Sequence, residues 1–536
     1  MGVCRMYSTC VTAGLLIAAG VCASGPGLPT ETVSEDKVLK VMLQVTGDDI
    51  SGRHNNIQFF DGWLVVMGDG GMGFVDVSSP EAMELETVIE MSLTEPYNMV
   101  FSNSYPGGKY AFIDYANGVK ALDLQDIYNP VITDLAIPGM SLGGEEYKNR
   151  IEQLAFQPPY FFLPATDEGL IILDVTDFDN PRLAKHIEKD DLGGIPNSGY
   201  AYAVGNLLVL RPHNAPGVAT YDISDPENPV LFAATTDCEN SYGSALSGHI
   251  LYTNPQEDHG VEKVDLSDPS TIVLGDTMIA ASAGGGGYIN LQDGYAHIGC
   301  SGHGYAKVDL NTMEKVAEIT KGEFNAMCDH NHKDLDYASG FGQVAAVGDD
   351  DHDLTSIFLH QAGPDQTAPL VNMVNPGDGA AGQAVTSRVG ITLTDQVDFL
   401  TVNDETFIVR KAGTDQPLAG KYSVTATMVN FCPEQDLEDD VTYEVVVPQG
   451  GIKDMAGNGV AEEFTSSFST GGEVLVKPRH AARTQPAHLR PRCVVTPERS
   501  GACFGNAEVF DLQGRPLPRR GRVRRGVFVL NPRPTE

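Results

Sequence analysis

Gly169-Leu-Ile-Ile-Leu-Asp174-Val, closing at Pro181, is the stretch that decides the fold. It reads glycine, an apolar run, aspartate, one more apolar residue, then a polar turn ending in proline. The same order returns at Gly73–Asp76–Pro80, Gly118–Asp123–Pro130, Gly217–Asp222–Pro226 and Gly260–Asp265–Pro269, and in shorter form at Gly304–Asp309. The aspartates step by 47, 51, 48, 43 and 44 residues. A seventh copy is due near position 354, where Thr355-Ser-Ile-Phe-Leu-His360 supplies a strand without the aspartate. Self-similarity at a fixed period of this size marks a repeat architecture. One aspartate per repeat, ahead of Ser-x-Pro, is expected to accept backbone N–H groups in the following turn. It is read as a structural device and not as catalytic.

Each period also holds two earlier apolar segments, such as Ser198–Val204 and Leu207–Leu210 before Gly217. A fourth follows the proline, as in Pro229–Ala233. Four short strands per roughly 45 residues is one propeller blade. Seven blades fit residues 38–361, and the early strand Val38–Val45 is expected to pair with the last blade and close the ring. Closure removes sheet edges that would otherwise invite aggregation. These repeats resemble the LVIVD-repeat β-propeller family, whose name string Leu170-Ile-Ile-Leu-Asp174 nearly reproduces. The resemblance implies a fold, but propellers serve both enzymes and binding proteins.

Residues 362–472 read differently. Gly363-Pro-Asp-Gln-Thr-Ala-Pro369 has a linker composition. Short alternating strands follow at Val389–Leu393, Phe407–Arg410, Tyr422–Val429, Tyr443–Val447 and Phe464–Thr470, a sandwich pattern. Asp365–Pro369, Lys453–Asn458 and Phe468–Gly471 resemble the opening and closing motifs of S-layer-type bacterial Ig-like domains. That resemblance implies a spacer in an exported protein. The expected fold class is therefore all-β: a seven-bladed β-propeller plus a C-terminal Ig-like β-sandwich.

The 536 residues carry 35 Lys plus Arg against 72 Asp plus Glu, a formal charge of −37. Such acidity excludes a general nucleic-acid binder. The charge is uneven. Residues 473–536 hold 13 basic and 5 acidic residues, a balance of +8, and residues 1–23 hold Arg5 and no acid. That leaves −46 for residues 24–472. Arg5, the apolar run Val11–Ala23 and the small residues around Ala23 read as a signal peptide over 1–23. A lipoprotein acylated at Cys22 is the weaker alternative, since Val21 stands where lipid attachment prefers a smaller residue. Cleavage leaves six cysteines, of which Cys493 and Cys503 are the nearest pair in sequence. The basic tail, with Asp511-Leu-Gln-Gly-Arg515 and Gly526-Val-Phe, resembles C-terminal sorting segments of type IX secretion. The expected place is exported: extracellular, cell-surface or periplasmic.

Candidate function lies on the rim that carries the turn before each motif glycine. Those turns hold His213, His259, His303 and His352, four of the 13 histidines. The links between blades add Arg53, His54 and Arg150 to the same rim. Together Arg53, His54, Arg150, His213, His259 and His303 form a candidate ligand rim. Blade seven adds Cys328-Asp-His330-Asn-His332-Lys-Asp334-Leu-Asp336 and the acidic turn Asp349–Asp353. In an extended chain His330, His332, Asp334 and Asp336 would point one way at period two. The first three, with Asp351 and His352, form a candidate divalent-metal pocket. Imidazole mixed with carboxylate suits Zn, Mn, Fe or Ni better than Ca. Leu354 stands where an EF-hand loop requires glycine, so the acidic turn is not read as one. No nucleotide-binding loop is present, because Gly284–Gly287 lacks the Lys-Ser/Thr of a phosphate loop. The functional expectation is a monomeric binding or scaffold protein for an extracellular ligand, surface protein or glycan, touching a membrane only through export or anchoring. The alternative is a metal-dependent hydrolase or lyase at the axial mouth, with Arg53 or Arg150 holding an anionic substrate.

Overall fold

The computed structural model describes residues 24–143, 149–256, 260–280, 287–350, 352–471, 508–510 and 529–531. Two compact units divide the chain, Met1–Val474 and Leu475–Glu536. In the second, Glu508–Phe510 pairs antiparallel with Val529–Asn531. The expected signal peptide, the Cys493/Cys503 pair and most of the tail lie outside the described residues, as do His259, Gly284–Gly286 and Asp351.

Within the first unit, among the described residues, the repeats form seven sets of four antiparallel strands, six as separate sheets and the second as one half of an eight-stranded sheet shared with the C-terminal domain. The third is representative: Ala155–Gln157, Tyr160–Pro164, Leu170–Asp174 and Arg182–Ile187, in sequence order. Its inner strands are buried and its last strand is half-exposed. This explains why the motif strand reads as a continuous apolar run while the strand after the proline alternates. The seventh sheet draws Tyr337–Phe341, Val344–Asp349 and Leu354–Leu359 from the repeat and completes itself with Val41–Thr46 from the far end of the sequence. The expected closing strand therefore forms, shifted by a few residues.

Consecutive sheets are hydrogen-bonded to one another. Asn98 Nδ2 of the second donates to Leu154 O before the third (3.2 Å), and Tyr202 of the fourth donates to Ser244 O of the fifth (2.6 Å). Tyr288 N ahead of the sixth donates to Asp336 O ahead of the seventh (2.8 Å). The seventh meets the first through Ser339 Oγ to Ile57 O (3.2 Å) and His54 N to His352 O (3.1 Å).

All six motif aspartates do what their position predicts. Each accepts the backbone N–H two residues on: Asp76 from Ser78, Asp123 from Gln125, Asp174 from Thr176, Asp222 from Ser224, Asp265 from Ser267 and Asp309 from Asn311, at 2.8–3.1 Å. These are Asx-turns that reverse the chain into the outer strand. Cys238, Cys300, Cys328 and Cys432 are free thiols. No helix among the described residues is long and apolar enough to cross a membrane.

The C-terminal sandwich has two sheets. One runs Val371–Asn375, Val389–Leu393, Met428–Pro433, Gly420–Thr425, and the other Ala380–Gln383, Phe464–Thr470, Thr442–Val447, Ile408–Lys411. The expected single strand Tyr422–Val429 is in fact a hairpin. Ala426 takes a left-handed φ of 50° and turns the chain between Thr425 and Met428. The linker composition at 363–369 did not foretell how closely this sandwich packs on the repeats. Val424 pairs with Phe101 of the second sheet, joining the two sheets edge to edge. Phe399 stacks on Phe60 and Phe101 at 5.3 and 5.1 Å, and one apolar core runs through both parts.

Candidate functional site

Three of the predicted rim residues, Arg53, Arg150 and His213, converge, but on internal carboxylates. Arg53 pairs with Asp69 (3.5 Å) and with Glu95. Glu95 also pairs with Arg150, which reaches Glu152 at 3.1 Å and donates to Tyr97 Oη at 2.7 Å. Glu152 lies 2.7 Å from His213 Nδ1, and His213 meets Tyr242 edge-on at 5.4 Å. A chain of polar groups thus runs Asp69–Arg53–Glu95–Arg150–Glu152–His213 across the first four sheets, its charges alternating from Asp69 to Glu152. It is largely desolvated: the side chains of Arg150, Glu152 and His213 are 5%, 0% and 3% exposed. Burial alone would raise the Glu95 carboxyl, but Arg150 and Arg53 hold it below the usual carboxylate range.

His54 does not join this network. It is buried, with Nε2 2.9 Å from Ile50 O and Nδ1 2.9 Å from Thr355 Oγ1. A carbonyl can only accept, so Nε2 carries the proton and the threonine hydroxyl donates to Nδ1. Burial lowers its affinity for a second proton. His303 is exposed and sits in the turn before Gly304.

The expected period-two ladder in the seventh repeat does not form, because residues 329–336 are not a strand. His330 is exposed, and its backbone N–H and carbonyl are held by the Gln44 amide (3.0 Å each). His332 turns inward, with Nε2 2.8 Å from Ser356 Oγ and its ring edge-on to Phe324 at 5.8 Å. Burial pushes this imidazole down to about 4. Asp334 faces Lys321 at 3.7 Å. His352 Nδ1 lies 3.0 Å from Asp349 Oδ1, and its Nε2 meets Lys333 Nζ. Asp349 is fully buried and also accepts the N–H groups of Lys333 (2.9 Å) and Asp334 (3.1 Å). Its role is to fold the loop. The structure brings His352 and Asp349 together but leaves His330, His332 and Asp334 in three separate environments.

Glu95 and Asp114, which the sequence did not single out, matter here, and Asp336 of the expected ladder joins them. Glu95 bridges two arginines. Asp114 accepts three backbone N–H groups, from Tyr97, Asn98 and Leu154 at 2.8–2.9 Å, and so ties the second sheet to the third. Asp336 accepts from Ser301 Oγ at 2.6 Å, and burial, then Asp350, push its carboxyl up to about 8. No sequence signal distinguishes these acids from other turn acids, because their burial arises from contacts between sheets.

Beneath the charges lies a tyrosine layer. Tyr288 stacks on Tyr337 at 3.9 Å, and Tyr97 and Tyr242 each approach Tyr288 at 6.4 Å. Burial raises the Tyr97, Tyr288 and Tyr337 phenols well above their usual range, so they stay neutral. The layer roofs a small cavity of about 70 Å³ lined by residues of all seven sheets, with Thr425–Met428 of the sandwich at its floor.

Residues 365–470 match the family model described as a bacterial Ig-like domain. That segment is a bacterial Ig-like domain. No curated protein matches the chain. Among solved structures, the computationally designed Ika8 protein aligns at 11% identity with a TM-score of 0.40, covering 60% of this chain and 99% of that one. A similarity that low carries no argument.

The Ig-like domain is bonded to the repeats through buried polar side chains. Asn430 accepts from Gly205 N (2.9 Å) and Gln157 Nε2 (3.0 Å) and donates to Ala203 O (2.9 Å). Thr427 Oγ1 donates to Leu246 O (2.7 Å), Ser423 Oγ to Phe156 O (2.5 Å), and Gln396 Nε2 to Gly340 O (2.8 Å). The Ig-like hairpin therefore closes the face of the repeat sheets opposite the charged rim.

Proposed function

We propose that the seven sheets are the blades of a β-propeller of the LVIVD-repeat type, and that this chain is an exported binding or scaffold protein. The contacts of each sheet with the next, and of the seventh with the first, support the propeller. The Ig-like domain supports an extracellular or surface setting. The observation that carries the binding reading is the dispersal of the expected metal ligands: His330 is exposed, His332 is buried against Ser356, and Asp334 faces Lys321. A ligand would engage the outer rim, where Asp353, His303 and His330 are exposed and Asp334 and Asp350 are half-exposed. Arg53 and Arg150 are already committed to internal carboxylates, so an anionic substrate would have to displace Glu95 or Glu152.

The hydrolase reading needs His330, His332 and Asp334 on one ion, and their separation weighs for binding. The deciding experiment assays the full chain, supplied with Zn²⁺ or Mn²⁺, on ester, phosphate and glycan substrates, beside the double variant His330→Ala/His332→Ala. We expect no turnover from either. Turnover by the unmutated chain that the double variant loses would refute the binding reading.

A further inference from the structure

A second cluster of acids lies far along the sequence from the rim, where the sixth sheet meets the Ig-like domain. Asp293 sits in the turn between Ile289–Gln292 and Tyr295–Gly299, at a left-handed φ of 50°. Asp365 opens the Ig-like domain, with Oδ1 accepting from Thr367 N at 2.8 Å. Asp395 follows the strand Val389–Leu393, with Oδ1 accepting from Gln396 N at 2.7 Å. One carboxylate oxygen from each lies within 4.8 Å of the other two. Asp365 and Asp395 are 8% and 3% exposed.

Proximity of acids alone would mean little. The telling observation is that Asp365 Oδ2 and Asp293 Oδ1 are buried and receive no donor from outside the three acids, which face only one another. The cation that senses them, Lys307, is engaged elsewhere: its Nζ is 3.1 Å from His360 Nδ1 and 4.2 Å above the Tyr295 ring. Buried carboxylates left unpaired cost several kcal/mol each, so such a group must take up a proton or a cation.

We propose that Asp293, Asp365 and Asp395 hold a calcium ion that clamps the Ig-like domain onto the sixth propeller sheet. The donor set is oxygen only, which favours a hard cation over zinc. Oxygens on one Ca²⁺ stand at most about 5 Å apart, a limit the three carboxylates meet, and Mg²⁺ is ordinarily held through only one or two carboxylates. Asp454 adds negative potential from the Lys453–Asn458 turn, while its own carboxylate is held by Asn458 N and Nδ2 at 2.8 and 2.9 Å. These residues are separate from the rim histidines, so this proposal and the function proposed above fail independently.

The test uses the full chain stripped with a chelator, titrated with CaCl₂ by calorimetry at neutral pH and then melted with and without calcium. We expect one calcium per chain and a calcium-dependent rise in melting temperature. Asp293→Asn, at a half-exposed turn, should weaken calcium binding by about tenfold or more and abolish the rise, because it removes one of three charged ligands. His330→Ala should change neither. Absence of calcium binding by the unmutated chain would overturn the proposal, as would unchanged affinity in both Asp293→Asn and Asp395→Asn. The first result is read on the natural sequence, so misfolding of a variant cannot obscure it. Equal affinity for Mg²⁺ would overturn the assignment to calcium.

Discussion

Replacing Arg150 with methionine tests the buried charge chain directly. The substitution keeps the length and apolar stem of the side chain and removes only the guanidinium. Arg150 is 5% exposed and contacts Glu95, Glu152 and the Tyr97 hydroxyl. Its loss leaves Glu152 facing His213 alone and Glu95 dependent on Arg53. Breaking a buried pair by removing one partner typically costs about 3–5 kcal/mol, because the remaining charge stays desolvated. The lost hydrogen bond to Tyr97 falls within that range and is not added to it. The assay is guanidinium unfolding of the full chain at neutral pH, followed by the intrinsic fluorescence of the tyrosine layer. A second variant, Arg150→Met/Glu152→Gln, removes the stranded charge and should recover more than half of the loss, since the two sites are coupled. The deficit of the single variant should also shrink as pH falls, because protonating stranded carboxylates removes their charge. A loss below about 1 kcal/mol, typical of a solvent-exposed pair, would refute the reasoning. So would a double variant no more stable than the single one.

Three further outcomes follow from the same contacts. Asn430→Ala deletes three buried hydrogen bonds at the Ig-like interface and should cost about 2–4 kcal/mol, separating one thermal transition into two; a single unchanged transition in calorimetry would count against tight docking. Asp222→Ala should lose about 1 kcal/mol in chemical denaturation, whereas Asp222→Asn, which still offers an acceptor to Ser224 N, should lose less than half of that. Burial, reinforced by Lys307, pushes His360 down to about 3. Its folded form therefore binds fewer protons than the unfolded chain between about pH 6.5 and pH 3, and stability should fall by up to about 1.4 kcal/mol per pH unit over that window. His360→Gln should flatten that part of the stability–pH curve, and an unaltered slope would contradict the assignment.

How far the sequence spoke depended on whether a feature was local. The motif aspartates, their turns and the outer strands were legible because each is set within a few residues, and six copies made the pattern redundant. The closing strand was legible because an early apolar run had no partner nearby. The Tyr422–Val429 segment was misread as one strand, since Ala426 gives no sign of the left-handed conformation it adopts. The His330–Asp336 ladder failed for a related reason: alternation in sequence says where side chains point only if the backbone is extended, and here Asp349 folds the loop by capturing its N–H groups. His330 and His332 thus separate into solvent and core.

The sequence by itself determined an all-β chain, its repeat period, the turn chemistry of the motif aspartates and the presence of a bacterial Ig-like domain. Those properties follow from short-range hydrogen bonding and hydrophobic alternation. Tertiary structure alone decided that Arg53 and Arg150 pair with buried acids and that His213 meets Glu152, and that the Ig-like hairpin floors the central cavity. It alone brought Asp293, Asp365 and Asp395, 72 and 30 residues apart in sequence, to within 4.8 Å of one another. The physical reason is common to all three. The energy of a charged group depends on what surrounds it after burial, and that environment is assembled from residues whose spacing in the chain carries no record of it.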